Sequence, residues 1–140
     1  MPLGGSVIDG PNLVSAMVDT HIVLGEAVGG DLASDLGGAL ERLAQAWRRH
    51  TAETEAGDGL LQEIINHAPR LCAAADQLRD EHQSVAQELR GLRVRLVTEY
   101  GPSPAIVEEV GALLATMRLH DQTGASLIWE AYTSEVLGGE

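Results

Sequence analysis

The feature that most constrains the fold of this 140-residue sequence is a regular spacing of apolar residues by three and four positions. The third segment has such a seam at Leu71, Ala75, Leu78, His82, Val85, Leu89, Leu92 and Leu96. The first segment has the same spacing at Val14, Met17, His21, Leu24 and Val28. This spacing places side chains along one buried face of a helix. No segment shows the period of two that is typical of strands, so the chain is predicted to be all-α.

Clusters of Gly and Pro divide the chain into four helical segments, because both residues interrupt regular structure. The predicted helices lie near 11–28, 36–66, 69–99 and 104–136. The second helix is expected to be weak or kinked at Asp58-Gly59. Short connections between long helices favour an antiparallel up-down-up-down four-helix bundle. We expect residues 1–140 to form a single domain of this kind, with residues 1–10 as a flexible N-terminus.

Each of the four seams contains one histidine, and these are His21, His50, His82 and His120. Successive histidines are about equally far from the break between them. The midpoint of His82 and His120 is Gly101, which lies in the last Gly-Pro break. Residues equally far from a turn lie at the same height in an up-down bundle, so the four histidines are expected to form one layer.

A layer of buried imidazoles needs partners for its ring nitrogens, because burial penalises unpaired polar groups and charged rings. A metal ion, a heme or a hydrogen-bonded network would supply them, and neutral imidazole suits zinc, copper and iron. Thr54 and Gly124 each follow a histidine by one turn, and their small size predicts a ligand cavity. Glu53 follows His50 by three residues and is the best candidate for a carboxylate ligand.

Charge and composition narrow the classes of partner. The chain has 21 acidic residues and nine arginines, which gives a net charge of −12. Such a surface repels nucleic acid and anionic membranes. The single cysteine, the lack of a long apolar stretch and the lack of an export signal predict a soluble cytoplasmic protein. The expected partners are a metal ion or a small diatomic ligand, and a protein partner or a second copy stays open.

The order of these residues resembles the hemerythrin-like (HHE) family. The resemblance rests on His21, on His50 with the acidic residues after it, on the run Leu-Arg-Asp-Glu-His at 78–82, and on His120. It spans nearly the whole chain and implies a four-helix bundle with a non-heme di-iron centre. Such a centre binds oxygen, senses oxygen or nitric oxide, or handles iron. This chain resembles a divergent member, because Thr54 and Gly124 stand near the positions where the family has bridging carboxylates.

The sequence therefore predicts a metal- or ligand-binding bundle that binds or senses and does not turn over a substrate. The proposed metal ligands are His21, His50, Glu53, His82 and His120, and the cavity residues are Thr54 and Gly124. Non-heme iron is the expected cofactor, ahead of zinc or heme. The alternative is a degenerate, metal-free bundle that serves as a structural or protein-interaction domain.

Overall fold

A computed structural model describes residues 12–25, 32–99 and 102–136, and these ranges are helical almost throughout. They contain five α-helices: α1 Leu13–Gly25, α2 Leu32–Glu55, α3 Leu60–His67, α4 Cys72–Thr98 and α5 Pro104–Val136. No described residue forms a strand, which confirms the all-α prediction. The expected flexible segment 1–10 lies outside the described residues. No described helix is both long and apolar enough to cross a membrane.

Two of the helices begin where the sequence provides a capping side chain. Asn12 Oδ1 accepts a hydrogen bond of 2.8 Å from the backbone N–H of Ser15 at the start of α1. Ser103 Oγ accepts one of 3.2 Å from the N–H of Ile106 in the first turn of α5. These bonds satisfy backbone donors that have no partner within the helix.

The predicted weak point at Asp58-Gly59 is confirmed, because α2 ends at Glu55 and α3 begins at Leu60. A Cβ atom at Gly59 would clash with the backbone carbonyl oxygens of Glu53 and Thr54. Glycine is therefore required at this point by close packing of the backbone against the end of α2. The break falls directly after the turn of α2 that contributes to the histidine cluster described below.

The helices enclose two apolar clusters. The larger one joins α1, α2, α4 and α5 and includes Trp47, Leu40 and Leu89. The smaller one joins α3, α4 and α5 and includes Leu61 and Leu78. The predicted seam of α4 is confirmed, since its buried residues are Ala75, Leu78, His82, Val85, Leu89, Leu92 and Leu96.

The predicted seam of α1 is only partly correct, because Met17 and Leu24 pack against the larger cluster but Val14 and His21 do not; Val28 lies outside the described residues. The buried residues of this helix are Leu13, Ala16 and Thr20. Val14 is 58% exposed, and His21 is exposed as well. Apolar residues occur on most faces of α1, so their spacing does not identify the face that packs on the bundle. The small side chains of Ala16 and Thr20 face inward, where the Thr20 hydroxyl is satisfied by donating to the carbonyl of Ala16 at 2.9 Å.

Candidate metal centre

Three of the four predicted histidines meet in the core of the bundle. His50 of α2, His82 of α4 and His120 of α5 offer ring nitrogens that all lie within 4.8 Å of one another. His82 and His120 are buried, and His50 is partly buried. This confirms the prediction from equal distances to the turns for these three helices. His21 does not join them, because the register of α1 directs it to solvent, and the four-histidine layer is corrected to three.

The closest approach within the cluster joins two Nε2 atoms. His50 Nε2 lies 3.3 Å from His120 Nε2. Two nitrogens bound to one tetrahedral ion at about 2.05 Å lie roughly 3.3 Å apart. The three ring centroids are separated by 5.2, 5.3 and 4.9 Å. The imidazoles of the pair are therefore spaced like two ligands of one ion.

Carboxylates of neighbouring helices hold two of the histidines by their outer nitrogens. His82 Nδ1 lies 2.6 Å from Glu55 Oε2, and His120 Nδ1 lies 2.6 Å from Glu81 Oε1. An ionised carboxylate only accepts hydrogen bonds, so each Nδ1 carries the proton. In the neutral form of either ring, the Nε2 atom is then the one that has a lone pair. Metal-binding histidines are commonly oriented by such carboxylates.

The roles of Glu55 and Glu81 were not identified from the sequence. Glu81 directly precedes His82, and Glu55 lies five residues after His50, so both are close to a histidine in the chain. Each carboxylate nevertheless binds the histidine of another helix. Proximity in the sequence signals that acidic residues are near the site, but it does not assign them to their partners.

Glu53 is not part of the cluster, which corrects its predicted role as a ligand. Its side chain is 64% exposed and pairs with Arg49, with the Nε–Oε2 distance at 3.2 Å. A residue three positions along a helix is rotated by about 60° from the starting face. This rotation, together with the arginine one turn earlier, directs the Glu53 carboxylate to solvent.

Trp47 forms a wall of the cluster. Its ring centroid lies 5.2, 5.7 and 5.1 Å from those of His50, His82 and His120. The indole N–H donates a hydrogen bond of 2.9 Å to the backbone carbonyl of His82. The indole therefore fixes the backbone of α4 at the site and excludes water from one side of the imidazoles.

A cavity of about 190 Å³ adjoins the histidines, and its wall includes both predicted cavity residues, Thr54 and Gly124. The remaining lining residues are Leu60, Leu61, Leu78, Asp121, Ala125 and Ile128. A Cβ atom at Gly124 would lie 3.6 Å from Leu60 Cδ2, so a larger side chain would enter this space. The cavity has room for water or a small ligand but is below the roughly 300–1,000 Å³ of sites for larger ligands.

Burial keeps two of the imidazoles neutral. Desolvation, together with the neighbouring His82 and His120 rings, lowers the pKa of His50 from 6.5 to about 4. Desolvation also lowers the pKa of His82, against the opposing effect of the hydrogen bond to Glu55. Neutral imidazole is the form that binds metal ions, so these two rings need not lose a proton to bind one near pH 7.

Comparison with protein-family models, with curated proteins and with solved structures finds no match to this chain. Its function is therefore argued from the geometry and chemistry of the histidine cluster.

Proposed function

We propose that this protein binds one transition-metal ion through His50, His82 and His120, and that the adjoining cavity admits a small ligand to the ion. The observation that carries this proposal is the contact that His82 and His120 each make with a carboxylate through Nδ1. Glu55 and Glu81 hold the Nδ1 protons on the outside of the cluster. Two buried lone pairs are thereby left beside a third imidazole, and a cation would satisfy them.

The contacts of Thr54 add support. Its hydroxyl lies 2.8 Å from the carbonyl oxygen of His50 and 3.4 Å from His82 Nε2. The hydroxyl has a single proton, and the shorter contact to the carbonyl takes it. The lone pair of His82 Nε2 is then poorly satisfied by the protein alone, and a bound ion would remove this cost.

The donor set fits a single ion. The residues one turn after His50 and His120 are Thr54 and Gly124, so no carboxylate bridges to a second ion from these positions. Three imidazoles leave a position open for water or another ligand, as in zinc sites with an exchangeable ligand. Iron is the ion that the hemerythrin-like interpretation suggests, but nitrogen ligands hold zinc and copper more tightly. Metal analysis therefore has to identify the ion.

The proposal includes an antiparallel up-down-up-down four-helix bundle in which α2 and α3 together form the second helix. Cross-helix contacts support it. Leu96 of α4 lies beside Gly37 near the start of α2, whereas His82 lies beside Thr54 near its end.

As a hemerythrin-like protein, this chain would be a divergent member that binds or senses a small ligand at one ion. The small cavity gives heme no support.

The second candidate function is a metal-free structural or protein-interaction bundle. It is favoured by the hydrogen bonding of the core, because no buried side-chain nitrogen or oxygen of the described residues lacks a partner. In this state His50 Nε2–H donates to His120 Nε2, and the contact of 3.4 Å to the Thr54 hydroxyl is the one that His82 Nε2 makes. The cluster would then hold α2, α4 and α5 in register without an ion.

Elemental analysis of freshly purified protein, followed by titration of metal-free protein with Fe²⁺, Zn²⁺ and Cu²⁺, separates the two functions. We expect one ion per chain, and no stoichiometric binding after His82→Ala or His120→Ala. His21→Ala is the matched control, since it removes an exposed histidine and leaves the cluster intact. Protein that takes up no ion, or that binds equally well after His120→Ala, would show that the metal proposal is wrong.

A further inference from the structure

A groove between α2 and α4 has no role in the metal site. One part, with a volume of about 90 Å³, is lined by Arg48, Arg90 and Arg93 over a floor that includes Trp47. A second part, with a volume of about 540 Å³, shares Arg90 and Arg93 and continues to Val97. The two hollows therefore form one continuous surface, which we call the arginine groove.

The charge of the arginine groove is opposite to that of the whole chain. The protein has a net charge of −12, yet this groove gathers three of its nine arginines and one acidic residue, Glu41. Within the described part of the chain, none of these three arginines forms an ion pair or a side-chain hydrogen bond. Arg79 and Arg95, by contrast, pair with carboxylates at 2.8 Å. The groove thus presents unpaired cations to a ligand.

Aliphatic side chains lie beside these cations. Val94 is 55% exposed and Val97 is 75% exposed, and both line the larger part of the groove. Both valines line the same hollow as Arg90 and Arg93, and neighbouring apolar residues rimmed by polar ones are a feature of interaction sites. On α2 the lining extends from Gly37 to Arg48. At 1.5 Å per residue, this stretch is roughly 16 Å long, or about three helical turns.

We propose that the arginine groove binds an acidic amphipathic helix of a partner protein. Aliphatic residues of that helix would cover Val94 and Val97, and its Asp or Glu side chains would pair with Arg48, Arg90 and Arg93. Charge complementarity selects an acidic ligand, and Arg–carboxylate pairs supply directional contacts. The length of the groove fits a helical segment, and its open sides suit a protein chain better than an enclosed small molecule.

The net negative charge of the protein does not prevent this contact. Exposed charges farther apart than about 8 Å are largely screened at physiological salt. A short acidic helix therefore interacts electrostatically mainly with the three local arginines. An extended anionic membrane would also be repelled by the acidic remainder of the surface. The proposal does not depend on the metal ion, and its tests use metal-free and metal-loaded protein alike.

The first test is selection from a display library of random 16-residue peptides on immobilised protein, with Arg90→Gln/Arg93→Gln as the counter-selection target. We expect enriched peptides with aliphatic residues at helical spacing, bordered by Asp or Glu. Enrichment of peptides without acidic residues, or no enrichment over the variant, would overturn the proposal.

Affinities of synthetic versions of the selected peptides then test the individual contacts. Arg90→Gln/Arg93→Gln is expected to weaken binding by about tenfold or more. Arg42→Gln/Arg118→Gln is the matched control, because it removes the same charge from two exposed arginines outside the groove. Val94→Thr/Val97→Thr should also weaken binding, whereas Leu119→Thr, at an apolar residue that is 63% exposed on α5, should not. Equal losses in test and control variants would contradict the proposal.

The site of binding can be read from the two tryptophans. Trp47 lies under the arginine groove, and Trp129 is 69% exposed on α5. The variant Trp129→Phe assigns the two indole N–H signals in a ¹H–¹⁵N spectrum. In the natural sequence, a bound peptide should then shift the Trp47 signal and leave the Trp129 signal unchanged. A shift of Trp129 alone would place the ligand elsewhere and refute the site.

Light scattering and vesicle binding test the other occupants. A dimer that is abolished by Arg90→Gln/Arg93→Gln would mean that a second copy fills the groove. Binding to vesicles of phosphatidylserine that depends on the same arginines, without binding of acidic peptides, would identify a lipid surface. Either result would overturn the proposal of a partner helix. A protein that is monomeric and does not bind such vesicles supports it.

Discussion

His50 differs from the other two histidines at its Nδ1 atom. His82 and His120 each have a carboxylate there, whereas His50 has no hydrogen-bond partner at Nδ1 among the described residues. In the metal-free network His50 must donate from Nε2, because His120 Nε2 is an acceptor. If Nε2 were to bind an ion, the neutral His50 ring would instead have its proton on Nδ1. His50 is thus the histidine whose tautomer distinguishes the two states of the cluster.

The low pKa of His50 predicts that acid destabilises the metal-free protein. Its pKa is about 4 in the fold and near 6.5 in the unfolded chain. Between these values the unfolded state binds more protons, so the free energy of unfolding falls as the pH falls. Urea unfolding should give a value about 1 kcal/mol lower at pH 5 than at pH 7, allowing for the partial exposure of the ring. His50→Gln should reduce this difference, and an unchanged pH dependence would contradict the assignment.

Removal of one supporting carboxylate should weaken the metal site without removing a ligand. In Glu81→Gln the contact to His120 Nδ1 loses its charge, so the imidazole is a poorer and less fixed donor. Metal affinity, measured by competition with a chromophoric chelator, is expected to fall by about 10- to 100-fold. Glu53→Gln is the matched control, because Glu53 is exposed and pairs with Arg49. Equal affinities for both variants would argue against the role of Glu81.

At the scale of the helices, the break between α2 and α3 depends on one glycine. A Cβ atom at Gly59 would clash with the backbone at the end of α2, whereas one at Gly57 would meet nothing within 4 Å. Gly59→Ala is therefore expected to lower the free energy of unfolding by about 1–3 kcal/mol. Gly57→Ala should be neutral or slightly stabilising, because it reduces the entropy of the unfolded chain. Urea denaturation of both variants measures the difference, and equal stabilities would show that the close contact is unimportant.

Gly124 determines how much of the cavity beside the histidines is open. A leucine at this position of α5 would extend toward Leu60 and Leu78 and fill the space. We expect Gly124→Leu to keep one metal ion per chain and to reduce azide binding to the Co²⁺-loaded protein, followed by visible absorption. Gly111→Leu is the control on the same helix, since a Cβ atom there meets nothing within 4 Å. Unchanged azide binding in Gly124→Leu would mean that ligands reach the ion by another route.

At the scale of the whole molecule, an ion bound as proposed between α2, α4 and α5 would stabilise the fold. A ligand that binds only the folded state adds about 2.7 kcal/mol to the free energy of unfolding at 100 times its Kd. Thermal unfolding with and without a chelator should therefore differ for the natural sequence and for His21→Ala. The difference should vanish in His120→Ala, which lacks a ligand. A chelator effect that survives in His120→Ala would place the ion outside the cluster.

Much of this architecture follows from the sequence alone. The buried seam of α4 is visible because apolar residues recur there at intervals of three and four positions. The meeting of His50, His82 and His120 follows from their equal distances to the turns, and the break at Asp58-Gly59 follows from the residues there. These features depend on periodicity and chain length, which are local properties of the sequence.

Only the tertiary structure decided the face of α1 and the partners of the acidic residues. α1 is apolar on most sides, so packing against the other helices, and not periodicity, turned Thr20 inward and His21 outward. Glu55 and Glu81 each bind a histidine on a neighbouring helix, while Glu53, closer in sequence to His50, pairs with Arg49 at the surface. Such contacts depend on how helices are rotated and placed beside one another, and spacing along a single helix does not contain that information.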